Sequence, residues 1–233
     1  MKQSRLYAAT LLAAAAIAAL AVAAQDAVKL VRSAKVGDTR TYKIDAEMQV
    51  MGTAAKFSAK SIEKVEKVDQ DGSITIEEST TEAKVMFGDQ QMEVPSSAAR
   101  IKSKPNGELI ELSGAEVDET AYRRAALTLV VFPSDAIKPG HKWSVESKAS
   151  PVNGNTAGKG DYEFVAVEKV GEEDAAVINF SYVETSGPTP ASASGKLWVS
   201  VKDGSLVKLD AEYKQAPLPQ IGPTDMKVSV KRA

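Results

Sequence analysis

The sequence contains no cysteine, which rules out disulfides, thiolate zinc sites and a thiol nucleophile. It has a single histidine, His141. Serine and cysteine triads and paired-histidine metal sites need an imidazole oriented by a third group. His141 instead follows Pro139-Gly140 at the start of an expected strand, so it reads as a surface or strand-edge residue. Aromatic residues make up only 6% of the chain, few for a ring-lined sugar cleft or for the girdles of an outer-membrane barrel. The terminal Lys231-Arg232-Ala233 also lacks a closing aromatic. Excess charge of one sign is missing as well: 29 basic residues face 31 acidic ones, interspersed throughout. Without a basic stripe there is no electrostatic hold on a phosphate backbone, so nucleic acid is not an expected partner.

Two segments imitate ligand loops and fail on their chemistry. Gly154-Asn155-Thr156-Ala157-Gly158-Lys159-Gly160 has only three residues between Gly154 and Gly158, where a phosphate loop has four. Gly160 also stands where a metal-binding Ser or Thr is required, and no helix follows to direct its N-terminus at a phosphate. It reads as a flexible loop. Asp69, Asp71 and Gly72, with Glu78 further on, resemble a calcium loop, but Lys67 would occupy the first ligand position. Glu172-Glu173-Asp174 reads as a solvated turn. No catalytic residue, cofactor or metal site is expected, and the chain is not expected to be an enzyme.

What the sequence does have starts with a leader. Lys2 and Arg5 precede an uncharged stretch, Leu6 to Val22, and Val22-Ala23-Ala24 supplies small residues for cleavage. A membrane anchor needs roughly 20 strongly apolar residues, whereas this stretch is mostly alanine. Residues 1–24 are therefore expected to be a signal peptide cut after Ala23 or Ala24, with no stable membrane span afterwards. A retained leader would leave a tether. Residues 25–233 are expected to form a single β-rich domain, large enough to bury a core without metal or disulfide.

Alternation at period two dominates that region. Tyr42, Ile44, Ala46, Met48 and Val50 fall on one side, with Lys43, Asp45, Glu47 and Gln49 on the other, as in a strand with one wet face. The same pattern recurs over Ser73–Phe87, Tyr162–Val170, Ala175–Glu184, Lys196–Val201, Ser205–Tyr213 and Thr224–Lys231. Polar turns at Asp69–Gly72, Lys104–Gly107, Gly171–Asp174 and Lys202–Gly204 predict antiparallel hairpins. Ala54–Val68 is less regular; a bulge near Ser61–Lys64 would restore its register, and a short helix is the competing reading. Asp118 to Val131 breaks the β pattern, with Ala121, Ala125 and Leu129 at spacing four, Asp118 able to cap and Pro133 as a stop. This predicts one helix lying against a sheet. Ser150–Gly160, Thr185–Ser194 and Ala216–Pro223 read as long loops. The fold class is thus mainly β: a curved antiparallel sheet or half-barrel of about twelve strands with one helix near 118–131.

Internal similarity suggests two half-repeats, 35–113 and 138–215. Glu66-Lys67-Val68 recurs as Glu168-Lys169-Val170, and Gly37 before Tyr42 as Gly140 before Trp143. Gly107-Glu108-Leu109-Ile110-Glu111-Leu112 resembles Gly204-Ser205-Leu206-Val207-Lys208-Leu209.

Val36-Gly37-Asp38 with Tyr42, and Phe132-Pro133 followed by Ile137-Lys138-Pro139-Gly140-His141-Lys142-Trp143, resemble exported bacterial β-rich proteins of unknown function. These carry an early Gly-Asp…Tyr strand and a late Pro-Gly-x-x-Trp strand, and the likeness spans about residues 30–215. That family is similar in outline to periplasmic lipoprotein carriers, which curve an incomplete barrel around a helix and an apolar hollow. The resemblance implies no active site, and places Asp in many relatives where this chain has His141.

Strands apolar on both faces, such as Phe164 and Ala166 against Val165 and Val167, or Ile178, Phe180 and Tyr182 against Val177 and Val183, require cover on both sides. The expectation is a non-catalytic envelope protein, periplasmic or secreted, that holds an apolar ligand such as lipid in its concave face. The alternative is a structural or protein-interaction module with a filled core, docking an envelope protein partner.

Overall fold

Thr39–Val50 and Thr53–Val68 form the first hairpin, β1 and β2, with Thr39 opposite Lys64 and Val50 opposite Thr53. In this computed structural model, which describes residues 26–50, 52–114, 117–118 and 120–233, the same period-two logic yields twelve strands and one helix. The remaining strands are β3 (Ile74–Phe87), β4 (Gln90–Glu93), β5 (Ser97–Ser103), β6 (Leu109–Ser113), β7 (Lys142–Ser147) and β8 (Gly158–Val170). After these come β9 (Glu173–Glu184), β10 (Ser192–Ser200), β11 (Leu206–Leu218) and β12 (Gly222–Arg232). The helix α1, Ala121–Thr128, lies between β6 and β7. The leader expected over residues 1–24 lies outside the described residues.

All twelve strands join one open antiparallel sheet in the order β6-β5-β3-β2-β1-β12-β11-β10-β9-β8-β7, with β4 paired to β3 alone. The first and last strands therefore meet in the middle, Tyr42 opposite Arg232 and Met48 opposite Met226. Both halves of the chain progress across the sheet in the same direction. The matched segments Glu66–Val68 and Glu168–Val170 end β2 and β8, while Gly37 and Gly140 precede β1 and β7.

Ala54–Val68 is a strand and not a helix, with register shifts against β3 at Ser58/Lys60 and Val65/Lys67, on either side of the expected Ser61–Lys64. The first shift leaves Glu82 at a positive φ of 53°, and the second leaves Glu66 unpaired, both marks of bulges that add twist. The irregular pattern within Ser61–Lys64 has another cause: Ser61 and Glu63 are polar residues on the inward face.

The long loops are shorter than expected, because the hairpins run on into them. Gly158 and Gly160 lie inside β8, where an added Cβ would collide with the Tyr182 and Tyr162 rings that cross over them. These glycines are demanded by packing, not by loop flexibility. Ser192–Ser194 belong to β10, and Ala216–Leu218 pair with Gly222–Thr224. Pro217 and Pro223 face each other beyond Lys214 and Met226, the last residues that β10 and β1 reach. Their missing N–H groups remove no bond to a third strand there.

The helix is shorter than expected at both ends. Asp118 does not take the cap position; that is Thr120, whose N–H and hydroxyl both donate to Asp118 Oδ1 at 2.9 Å. Leu129 is already extended.

The core lies over one half of the sheet. Phe164, Ile178, Phe180, Leu197 and Leu209 from β8 to β11 pack with Leu127, Val130 and Phe132 from α1 and the segment after it, and with Leu30 and Ile137. No residue of β1 to β6 belongs to this cluster. On the outer face Val177 is fully buried beside its cross-strand neighbours Trp198 and Ala166, whereas Val183 is half exposed, so cover on both faces reaches only part of β9. Trp198 donates to Glu168 Oε2 at 3.1 Å, with Lys208 Nζ 4.3 Å from its ring centroid.

Candidate functional site: the hollow beneath the helix

The sheet curves, and α1 with its flanking segments spans the gap between its edges β6 and β7. Polar side chains pin it on both sides. Toward β6, the Tyr122 hydroxyl accepts from Leu112 N–H at 2.9 Å. Toward β9, Arg123 donates to both carboxylate oxygens of Glu184, at 2.7 and 2.6 Å, and to Thr189 C=O at 3.0 Å. Glu184 is buried and also accepts from Thr156 Oγ1 at 2.6 Å and Ala191 N–H at 2.7 Å. Burial works against its ionisation, but the Arg123 guanidinium and the Ala191 and Thr156 donors outweigh it and hold the carboxyl below its ordinary range. After the helix, Trp143 Nε1 donates to Val131 C=O at 2.9 Å and the Tyr162 hydroxyl to Leu129 C=O at 3.0 Å. The Trp of the Pro-Gly-x-x-Trp strand is thus an anchor, stacked 5.3 Å from Tyr162.

One end of the curved sheet is closed by the segment from Val28 to Ser33. Val28 and Ile137 exchange two backbone bonds of 2.8 Å, Arg32 N–H donates to Pro105 C=O at 2.7 Å and Ser33 N–H to Asp203 C=O at 2.9 Å. A Cβ at Gly204 would run into the backbone of Val31, and one at Gly107 into Val130 C=O, so both turns seat this closure only as glycine.

Between α1 and the uncovered half of the sheet lies a hollow of about 430 Å³. Its walls include Ile101, Leu109 and Leu112 from β5 and β6, Ala125 and Leu129 from the helix segment, and Leu197 and Leu209 from β10 and β11. A neighbouring cleft of about 500 Å³ between edges β6 and β7 shares the walls Leu109 and Leu129 with it. The rim is mixed: Ile110, 42% exposed, stands beside Glu108, Glu146 and Lys148 of the cleft wall.

The floor toward the closed end is polar. Tyr42, Ser61, Glu63, Glu78 and Arg32 all line it. Glu63 and Glu78 stand directly opposite each other on β2 and β3. The Tyr42 hydroxyl is 3.2 Å from Glu63 Oε2 and from Leu206 C=O, and Ser61 Oγ donates to Glu78 Oε1 at 2.8 Å. Burial first, then the Glu78 carboxylate, raises Glu63 above its ordinary range, against the pull of Arg32 and Arg40. Burial likewise pushes the Tyr42 phenol up.

Of the chemistry-bearing residues read from the sequence, only Glu78 of the calcium-like stretch lines this hollow. His141 is exposed, 6.0 Å from the Trp143 ring, and its backbone C=O accepts from Phe164 N–H. Asp69 and Glu78 are not brought together: Asp69 is a turn residue held at a pKa of about 2 by Lys102 and Lys67, while Glu78 faces Ser61. Glu173 pairs with Arg232 at 2.7 Å and Asp174 with Lys169 at 3.1 Å. The residues sequence reasoning missed are Arg32 and Glu63, and it places Glu78 only in a calcium-loop context. For Glu63 a signal existed, since it falls on the same face as Phe57, Ala59 and Val65 and is the only ionisable residue of that run.

No family model matches this chain, and no curated protein matches it. Among solved structures the fold is similar to a candidate exported protein with a YmcC-like fold from Bacteroides fragilis, at 11% identity and TM-score 0.37 over 88% of this chain and 99% of that one. A candidate lipoprotein from Parabacteroides distasonis is similar at 11% identity and TM-score 0.35, over 90% and 100% of the two chains. The hypothetical lipoprotein YmcC from Escherichia coli is similar at 12% identity and TM-score 0.29, over 82% and 86%. These neighbours are of the exported kind that the sequence resemblance named. The likeness concerns the run of the sheet, and no residue role is taken from it.

Proposed function

We propose that this chain is a non-catalytic envelope protein, periplasmic or secreted, that binds an apolar ligand such as a lipid in the hollow beneath α1. The observation that supports this reading is the position of the core. The large apolar cluster draws on β8 to β11, whereas the apolar residues Ile101, Leu109 and Leu112 of β5 and β6 are only half-buried and line the hollow. A filled-core structural module would have no reason to leave Ile101, Leu109 and Leu112 half-buried. A volume of about 430 Å³ suits a small ligand, whose sites commonly measure about 300–1,000 Å³. Among the described residues no helix is long and apolar enough to cross a membrane.

Native mass spectrometry of the protein purified from the organism that makes it tests this. Co-purifying lipid at a stoichiometric ratio is expected, and Ala125→Phe, which fills the hollow from the helix side, should abolish it without unfolding the sheet. A stoichiometric protein partner with no small molecule would replace this reading by that of a docking module.

A further inference from the structure

The described chain holds six arginines, and five of them are ion-paired: Arg40 with Asp203, Arg100 with Glu66, Arg123 with Glu184, Arg124 with Asp118 and Arg232 with Glu173. Arg32 is the exception. Among the described residues its guanidinium makes no ion pair or hydrogen bond, its Nε is shut off from solvent without a partner there, and it lines the hollow at the closed end. Glu63, the acid that influences it most, is committed to Tyr42, and Glu78 to Ser61. A desolvated cation without a counter-ion is costly, and burial accordingly pushes this guanidinium below its ordinary value. Its surroundings are otherwise fixed: its own N–H is bonded to Pro105 C=O, and the Gly107 turn packs against it. The charge is thus held in place at the polar end of the hollow, near Glu63 but with no carboxylate in ion-pair contact.

We propose that the hollow takes an amphiphile with one alkyl chain and an anionic head, the head on the Arg32 guanidinium and the chain along Ile101, Leu109, Leu112 and Leu129 toward the β6–β7 cleft. This deepens the reading of the hollow as an apolar ligand site and rests on it. The volume favours one chain over two, and planar guanidinium favours a carboxylate or phosphate, which it can bind through two parallel donors. The groups facing the head are Glu63 and Glu78 from the floor, Tyr42 from β1 and Arg124 from the helix, with Arg40 near enough to act on Glu63. Burial raises Glu63 above its ordinary range, so an incoming anion meets a carboxyl that can yield its charge.

The test uses the full chain freed of bound lipid and three probes: palmitate, hexadecyl phosphate and the uncharged hexadecanol, each titrated by calorimetry. One or both anions should bind at least about tenfold more tightly than hexadecanol, the size of a single charge-assisted hydrogen bond. A preference for palmitate assigns a carboxylate head, and the reverse a phosphate monoester. Arg32→Met should erase the anion preference and leave hexadecanol affinity unchanged; Arg32→Lys should retain part of it. Because Arg32→Met removes an unpaired charge, it should melt no lower than the parent. Equal affinity for all three probes would overturn the head assignment while leaving the hollow an apolar site. Failure of all three to bind would overturn both, and a lowered melting temperature for Arg32→Met would make the arginine a structural cation.

Discussion

Glu184 and Glu63 show how the same side chain takes opposite roles according to its donors. Glu184 is buried but surrounded by Arg123, Thr156 and Ala191 N–H, so its carboxyl sits below the ordinary range. A depressed acid contributes stability that is present above the unfolded value near about 4.3 and is lost as pH falls through the folded value. Glu184→Gln is therefore expected to cost about 3 kcal/mol at pH 7, since it strands most of the Arg123 charge, and to flatten the loss of stability below that pH. Urea midpoints from pH 7 to pH 3 measure both effects. Glu63 runs the other way. Its carboxyl is raised by burial and by Glu78, so the fold is relatively most stable below the unfolded value and loses that contribution as pH rises through the folded one. Glu63→Gln should raise the urea midpoint at pH 7 and have little effect at pH 4. The sequence marked Glu63 by placing an acid on an apolar face. It could not mark Arg32, whose isolation depends on which acids other residues have already engaged.

At the scale of elements, hairpins were legible because period two and turn chemistry act within a few residues of each other. The turns Asp69–Gly72 and Lys104–Gly107 close through backbone bonds from Gly72 to Asp69 and from Gly107 to Lys104, as the positive φ tolerance of glycine allows. Strand ends were not legible where glycine served packing. Gly158 looks like a loop residue in sequence, but only the register of β9 against β8 puts the Tyr182 ring across it. Gly158→Ala should destabilise by about 1–3 kcal/mol as an overpacked site, seen as a lowered melting temperature, whereas a loop glycine at that position would tolerate the change. Trp143→Phe should cost about 1 kcal/mol through the lost bond to Val131 C=O. Hydrogen exchange at the α1 amides would then rise more than in β9 or β10.

Across the whole molecule, β1 and β12 place both described ends of the strand run at the centre of the sheet, and the edges fall at β6 and β7. The half-repeat reading and the strand count came from local pattern; this seam did not, because pairing between residues 42 and 232 leaves no trace in either segment alone. Amide exchange should be slowest in β1, β11 and β12, each paired on both sides, and fastest in β4, β6 and β7. The seam has a mechanical consequence. Since the polypeptide itself bridges β6 to β7 through α1, the sheet and this bridge form a continuous loop of chain around the interior. Lifting the bridge breaks side-chain pins at Tyr122, Arg123, Trp143 and Tyr162 and the Phe132 N–H bond to Asn106 C=O, but no strand ladder. The molecule has a door hung from both jambs and bedded in the core through Leu127, Val130 and Phe132, so opening it would cost interior packing while the strand frame held.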